Sequence, residues 1–219
     1  MKVKICGIRS RQEALRVGEF QPDALGILVG FDPQIAPNNI SEEMARDVVQ
    51  ASRELPYNVD TFLLTNKQDA DTNIAYSKRI GNSHIQLLGD VSVNDVGVIR
   101  YEMPDLGIVK VIHVTGYEAV GLAQEYDDCD AVSALLLDSR IGYHKRGGTG
   151  QTHDWTISAE IARRSKKPVW LAGGLRTYNV RSAIETVRPY GVDVETGVQN
   201  PDGSKNYDMI KEFVSNSRP

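Results

Sequence analysis

Few side-chain types can move a proton or hold a phosphate, and in this chain they gather at the ends of apolar runs. Cys6 closes the run Val3–Cys6 and is followed by Gly7. Asp138 closes Ala134–Asp138, directly after Leu135-Leu136-Leu137. Gly173-Gly174 follows Pro168–Ala172, and Glu195-Thr196-Gly197 follows Gly191–Val194. A thiol and a carboxylate brought face to face form an acid/base pair. A Gly-Gly pair lets backbone N–H groups approach a ligand without a side chain in the way. Thr196 and Gly197 add further N–H groups and a hydroxyl, so two glycine-bearing ends lying side by side make a candidate phosphate site. Each residue also has a plainer role open to it. A free cysteine commonly packs as a small hydrophobe, Asp138 can cap a loop or pair with Arg140, and the glycines can simply turn the chain.

Gly147-Gly148-Thr149-Gly150 lies shortly after Asp138 and is a candidate mobile cover for a ligand. It lacks the Lys-Ser/Thr ending of a P-loop, which argues against a nucleoside triphosphate. Cys129 sits in Asp127-Asp128-Cys129-Asp130, where neighbouring acids disfavour a thiolate, and it is expected to be structural. His84, His113, His144 and His153 show no metal-ligand spacing, so no metal is expected. His144 and His153 flank the glycine stretch within reach of a ligand, but exposed loop histidines are the favoured reading.

Positioning these groups requires rigid elements. Eight short runs rich in Val, Ile and Leu recur along the chain: Val3–Cys6, Ala24–Gly30, Val59–Leu64, His84–Leu87, Gly107–Ile112, Ala134–Asp138, Pro168–Ala172 and Gly191–Val194. Unbroken runs of this kind fit parallel strands buried on both faces. Helix signals separate them. Ser10 with Glu13 forms a capping box. Met44, Ala45, Val48, Val49 and Ser52 form a stripe behind a Ser41 cap, and Asp154 precedes Ile157 and Ile161. Val180, Ala183, Ile184 and Val187 form another stripe, and Ile210, Phe213 and Val214 the last. The weakest helix is near Asp69–Arg79. Eight strand–helix repeats in one α/β domain spanning 1–219 predict a (β/α)8 TIM barrel, with an open doubly wound sheet as its rival. In such a barrel function sits at the C-terminal strand ends, which is where the residues above fall.

The 219 residues hold 25 Lys plus Arg against 29 Asp plus Glu, for a net charge of −4. This mildly acidic chain has no global attraction for nucleic acid or an anionic membrane. No apolar run approaches the roughly 20 residues of a membrane helix, and MKVKIC carries no signal-peptide core. Two cysteines are too few for a disulfide framework, so a cytoplasmic setting is expected.

Taken together, KICGI (Lys4–Ile8), DALGI (Asp23–Ile27), IQLLGD (Ile85–Asp90), LLLD (Leu135–Asp138), GGTGQTHDW (Gly147–Trp155), LAGGL (Leu171–Leu175), NVRSAI (Asn179–Ile184) and RPYGVDVETGV (Arg188–Val198) resemble the phosphoribosylanthranilate isomerase family of tryptophan biosynthesis. The resemblance runs through nearly the whole chain in the family's order. It implies a TIM barrel and a cofactor-free Amadori rearrangement of a small phosphosugar. N-(5-phosphoribosyl)anthranilate becomes 1-(2-carboxyphenylamino)-1-deoxyribulose 5-phosphate. By the same resemblance Cys6 is the general base, Asp138 the general acid, and Gly173, Gly174 and Gly197 the phosphate contacts. These roles need Asp138 protonated and Cys6 deprotonated, the reverse of their ordinary order of about 3.9 and 8.5.

The chain departs from the family pattern in three places. A Ser-x-Arg stretch, whose arginine holds the anthranilate carboxylate, is matched here by Ala36-Pro37-Asn38-Asn39. QLHG reads Gln86-Leu87-Leu88-Gly89, and DVSSG reads Asp193-Val194-Glu195-Thr196-Gly197. A glutamate beside a phosphate repels it unless it turns outward. A buried carboxylate needs a donor. Of Arg9, Arg140, Lys145 and Arg146, the expectation falls on Arg140 or Arg146, with Gly148 and Gly150 in the same loop. Two alternatives follow: a diverged isomerase for another phosphorylated aminoaldose, and a non-catalytic phosphosugar-binding barrel.

Overall fold

The computed structural model describes residues 1–139 and 152–218. Arg140, His144, Lys145, Arg146, Gly148 and Gly150 lie outside the described residues. The chain alternates strand and helix as β1 (Lys2–Ile5), α1 (Arg11–Gly18), β2 (Ala24–Val29), β3 (Asn39–Ile40), α2 (Glu42–Arg53), β4 (Asp60–Thr65), α3 (Ala70–Ile80), β5 (His84–Leu87) and α4 (Val93–Glu102). It continues as β6 (Gly107–His113), α5 (Glu118–Asp127), β7 (Ala134–Asp138), α6 (Trp155–Arg164), β8 (Val169–Leu171), α7 (Val180–Val187), β9 (Gly191–Val194), a 3-10 turn (Thr196–Val198) and α8 (Tyr207–Ser217). All the strand pairings are parallel, and β1 pairs with both β2 and β9, which closes the barrel. Lys2 stands opposite Gly191 and Ile5 opposite both Val194 and Leu25. The expected eight-stranded barrel is therefore found, and the open sheet is excluded by the β1 pairings. The short β3, which pairs only with the end of β2, is additional. Two residues are too few to produce a periodic signal.

Closure divides the apolar residues into two cores. One fills the space between barrel and helices and takes Val3, Ile5, Leu25, Ile27, Leu135, Leu137, Val192 and Val194. The other lies inside the barrel and takes Cys6, Ala24, Leu28, Phe62, Leu64, Val109, Val111, Ala134, Leu136, Trp170 and Ala172. Odd and even positions along each strand thus go to opposite cores, because successive strand side chains point to opposite faces. The N-terminal end of the barrel interior is filled by Phe62, with its ring centroid 4.5 Å from His84 and 5.6 Å from Trp170.

Helix starts follow the capping residues. Ser10, Ser41, Asp69 and Ser92 each accept from the backbone N–H three residues on, satisfying a donor the helix leaves open. Asp154 accepts from Thr156. The first cap differs in detail from the expected box: Glu13 turns back to the N–H of Arg9, not to that of Ser10. In α2 the buried stripe is Ala45, Val48, Val49, Ala51 and Ser52, whereas Met44 is exposed. Among the described residues, no helix is long and apolar enough to cross a membrane.

Candidate active site

The strand alternation that builds the inner core also builds the site. Continuing the inward positions past Ala134 and Leu136 reaches Asp138, and past Lys2 and Lys4 reaches Cys6. Gly191, Asp193 and Glu195 share one such line, as do Gln86 and Leu88. Cys6, Leu28, Leu64, Gln86, Leu88, Asp138, Ala172, Asp193 and Glu195 all line a pocket of about 260 Å³ at the C-terminal end of the barrel, with Ser139, Gly173, Gly174, Thr196 and Gly197 at its rim. Every described residue expected at the site from the sequence is therefore gathered in one place.

Cys6 is buried, and Lys4 beneath it is wholly buried. Lys4 Nζ donates to Asp193 Oδ2 at 2.8 Å and is hydrogen-bonded to the Cys6 thiol. Burial works against the Lys4 ammonium, but Asp193 and Cys6 outweigh it and its pKa is raised. Gly26 on β2 makes room for this contact. A Cβ there would stand 2.6 Å from Cys6 Sγ and 3.1 Å from Lys4 Nζ. From the far end of the chain, buried Lys205 donates to the Cys6 carbonyl.

The two expected proton carriers stand differently. Burial, then repulsion by Asp193, pushes Asp138 up from 3.8 to about 7. A hydrogen bond from the Ser139 N–H and the charge of Lys4 only partly offset that rise. A carboxyl group half-protonated at neutral pH suits a general acid. Burial also pushes the Cys6 thiol up, with Asp193 and Glu195 adding to burial and Lys4 and Lys205 opposing it. The rise of Asp138 runs in the direction its expected role needs, but the order of the two groups is not inverted: burial keeps Cys6 as the thiol, above Asp138.

At the rim, Gly173 and Gly174 have φ of +81° and +67°, in the left-handed region that favours glycine. Asn179 ties down this turn by accepting from the Arg176 N–H at 2.7 Å and donating to the Gly174 carbonyl at 3.0 Å. The Gly197 backbone presses on the Leu175 carbonyl so closely that no Cβ fits.

Glu195 is held by Asn38 from the β2–β3 connection. Its Oε1 accepts from Asn38 Nδ2 at 2.6 Å, and the pair sits over Gly7, where a Cβ would lie 3.0 Å from both atoms. The carboxylate is thereby directed across the mouth toward the β2–β3 connection. Arg9 does point outward: it pairs with Glu13 on α1. Of the two histidines expected to be exposed in loops, His144 lies outside the described residues and His153 is not exposed. His84 is half-buried against Phe62, His113 is half-buried in register with Asp138, and His153 is half-buried between two serines. Cys129 packs against the outer core, in keeping with a structural role. Among the described residues no cluster of His, Cys, Asp and Glu is placed to hold a metal.

Sequence reasoning missed Lys4 and Lys205 as the cations flanking Cys6. Counting two residues back from Cys6 would have found Lys4. No local signal marks Lys205, which lies 199 residues away from its partner. It also missed two buried pocket oxygens with no partner among the described residues, Asp193 Oδ1 and Gln86 Oε1, both apt to receive a ligand hydroxyl or N–H.

Comparison with known proteins agrees with this geometry. The model of the N-(5'-phosphoribosyl)anthranilate (PRA) isomerase family matches residues 3–216. N-(5'-phosphoribosyl)anthranilate isomerase from Haloferax volcanii is 34% identical, over 98% of this chain and 91% of that protein. The crystal structure of phosphoribosyl anthranilate isomerase from Thermotoga maritima superposes with a TM-score of 0.83 at 30% identity, covering 99% of this chain and 98% of that one. A further isomerase structure, in complex with reduced 1-(o-carboxyphenylamino)-1-deoxyribulose 5-phosphate, gives a TM-score of 0.80 at 28% identity, covering 99% and 98% of the two chains. A match of this length, on a closed barrel that brings Cys6 and Asp138 to one pocket, places the chain in the N-(5'-phosphoribosyl)anthranilate isomerase family.

Proposed function

We propose that this protein isomerises N-(5'-phosphoribosyl)anthranilate to the deoxyribulose 5-phosphate in tryptophan biosynthesis, without a cofactor. The observation that carries this is the convergence of Asp138, with its carboxyl near pH 7, and Cys6 in one glycine-rimmed pocket of a family member. Asp138 as the acid gives its proton to the ribose ring oxygen. The C1–O bond breaks, and the nitrogen lone pair forms a protonated Schiff base at C1. That cation, together with Lys4, supplies the positive charge the Cys6 thiolate needs. The thiolate removes the C2 proton, and the electron pair neutralises the iminium to give an enolamine. Tautomerisation takes the proton from the C2 hydroxyl and adds one at C1. C2 is oxidised and C1 reduced within one molecule, so no external oxidant is needed. Cys6 and Asp138 return to their starting states by proton exchange with water.

The phosphate is assigned to the backbone of Gly173, Gly174 and Gly197 with the Thr196 hydroxyl. Arg140 or Arg146, from the stretch of sequence that also holds Gly148 and Gly150, is assigned to the anthranilate carboxylate. The substrate is a small soluble phosphosugar, residues 1–219 act as one catalytic domain, and the setting is the cytoplasm. Loss of substrate fluorescence on adding the protein to freshly made phosphoribosylanthranilate tests the reading. A folded protein with no turnover above background, and no rescue of a tryptophan auxotroph lacking this isomerase, would refute it. A second reading, turnover of another phosphorylated aminoaldose, is favoured by the Asn38–Glu195 pair, which places a carboxylate at the mouth. A panel of phosphorylated aminoaldoses separates the two. Normal turnover confined to the anthranilate compound rejects the second.

A further inference from the structure

Ser139 joins three parts of the site. Its backbone N–H donates to the Asp138 carboxylate. Its backbone and side chain press so closely on Gly173 that a Cβ there would strike both. Its Oγ accepts from the His153 N–H at 3.1 Å and stands 2.9 Å from His153 Nδ1. The other ring nitrogen, Nε2, stands 2.6 Å from Oγ of Ser158, a buried residue on α6. His153 is therefore held at both nitrogens, between the end of β7 and the first turns of α6. Burial lowers its pKa to about 4, so at neutral pH the ring is neutral, with one N–H donor and one acceptor. Such a ring can bridge two hydroxyls with no nitrogen left over. His153 is not among the residues lining the pocket.

We propose that His153 is a positioning residue for the isomerisation: by fixing Ser139 at its hydroxyl, it holds the Asp138 carboxyl group and the Gly173 turn in one geometry. This rests on reading Asp138 as the acid and Gly173 as a phosphate contact. A hydrophobic filler at the same place would give α6 its packing but would leave the Ser139 hydroxyl with the backbone N–H of residue 153 as its one partner from this segment. Asp138 is faced by Asp193 and Glu195 from β9 and the turn after it, by Lys4 from β1, and by His113 in register on β6. The Ser139 N–H is the hydrogen bond that opposes burial and these acids. Loosening that donor lets the carboxyl titrate higher. It also releases Gly173 from the surface it packs against.

The test compares wild type with His153→Phe, His153→Asn and Ser158→Ala. Phe keeps a ring and removes every side-chain hydrogen bond, Asn keeps a partner for Ser139, and Ser158→Ala leaves the ring in place. Three readouts are needed: kcat and KM for phosphoribosylanthranilate from pH 5 to 9, the Asp138 carboxyl titration by NMR on ligand-free protein, and calorimetric affinity for inorganic phosphate. His153→Phe is expected to lower kcat about 10- to 100-fold, the range that misplacing a reacting group produces. The Asp138 titration and the basic limb of the kcat profile should move up together by about half a pH unit or more. Phosphate affinity should fall several-fold, and His153→Asn should recover most of each loss. Ser158→Ala should show the same shifts at smaller size, and it carries the test should His153→Phe fail to fold. Wild-type titration and phosphate affinity in the variants, whatever happens to their melting temperature, would overturn the proposal. So would an Asn variant no better than Phe. Because the titration and phosphate measurements use no sugar substrate, they decide the role of His153 even if the wild type does not turn over the anthranilate compound.

Discussion

Replacing Asp138 by asparagine should abolish most turnover and at the same time stabilise the fold at neutral and alkaline pH. The carboxyl is raised from 3.8 to about 7, first by burial and then by Asp193. A group that binds its proton more tightly in the folded chain contributes stability that is complete below its unfolded pKa. That contribution is lost as the pH rises through the folded one. By pH 8 the folded protein must therefore hold an ionised carboxylate in an unfavourable place. At 1.36 kcal/mol per pH unit, the difference between 3.8 and about 7 corresponds to about 4 kcal/mol. This is a ceiling, because the side chain is only half-buried and pocket water screens it. Asparagine has nearly the same shape, carries no charge, and its Oδ1 can still accept from the Ser139 N–H. Unfolding free energies from urea titration of the two proteins should therefore be close near pH 4, diverge through pH 5 and 6, and differ by about 2–4 kcal/mol at pH 8 in favour of the variant. Turnover should fall roughly 10²- to 10⁴-fold, the usual contribution of a general acid. A variant less stable than wild type at pH 8, or a gain that does not change between pH 4 and 8, would show that ionisation at this site does not oppose folding. The assignment of Asp138 as a carboxyl held near neutrality would then be wrong.

Cys6→Ala should lower kcat by roughly 10²- to 10⁴-fold with little change in the affinity of a product analogue; near-normal turnover would leave Cys6 as packing alone. Lys4→Met keeps the stem but removes the cation beside Cys6 and leaves Asp193 unpaired, so both activity and stability should fall, by about 3–5 kcal/mol in urea unfolding; an unaltered midpoint would show that the pair is not buried as described. Gly174→Val places a β-branched residue at φ +67° and blocks backbone approach, so KM should rise more than kcat falls; unchanged inhibition by inorganic phosphate would contradict the phosphate assignment. Arg140→Ala and Arg146→Ala should raise KM for the anthranilate compound and matter little for an analogue lacking its carboxylate, and equal effects on both compounds would remove these residues from that role.

The sequence by itself determined the repeating architecture and the level at which the chemistry sits. Buried parallel strands read as unbroken apolar runs, and the capping residues Ser10, Ser41 and Asp154 mark helix starts through contacts made within a few residues. Asp138, Cys6 and the glycine turns were legible because a barrel places its site at the ends of those runs. Closure was legible only through the count of eight repeats, with an open sheet as its rival; the pairing that makes it, β1 with β9, spans the whole chain and has no local signal. The state of the proton carriers was decided the same way. Lys4 reaches Asp193 over 189 positions, Lys205 reaches Cys6 over 199, and Asn38 reaches Glu195 over 157. None of these pairs has a spacing that a sequence pattern can hold. The expectation of an exposed His153 failed because burial depends on packing: its partners Ser139 and Ser158 lie 14 and 5 positions away, but no pattern shows that they close on the ring from both sides. Asn38, which holds Glu195, belongs to the β2–β3 connection, and only the packed barrel brings it into reach. Burial behaves alike: the rise of Asp138 toward neutrality comes from the low-dielectric interior and from Asp193 on a strand two places away in the barrel, neither of which exists until the sheet closes.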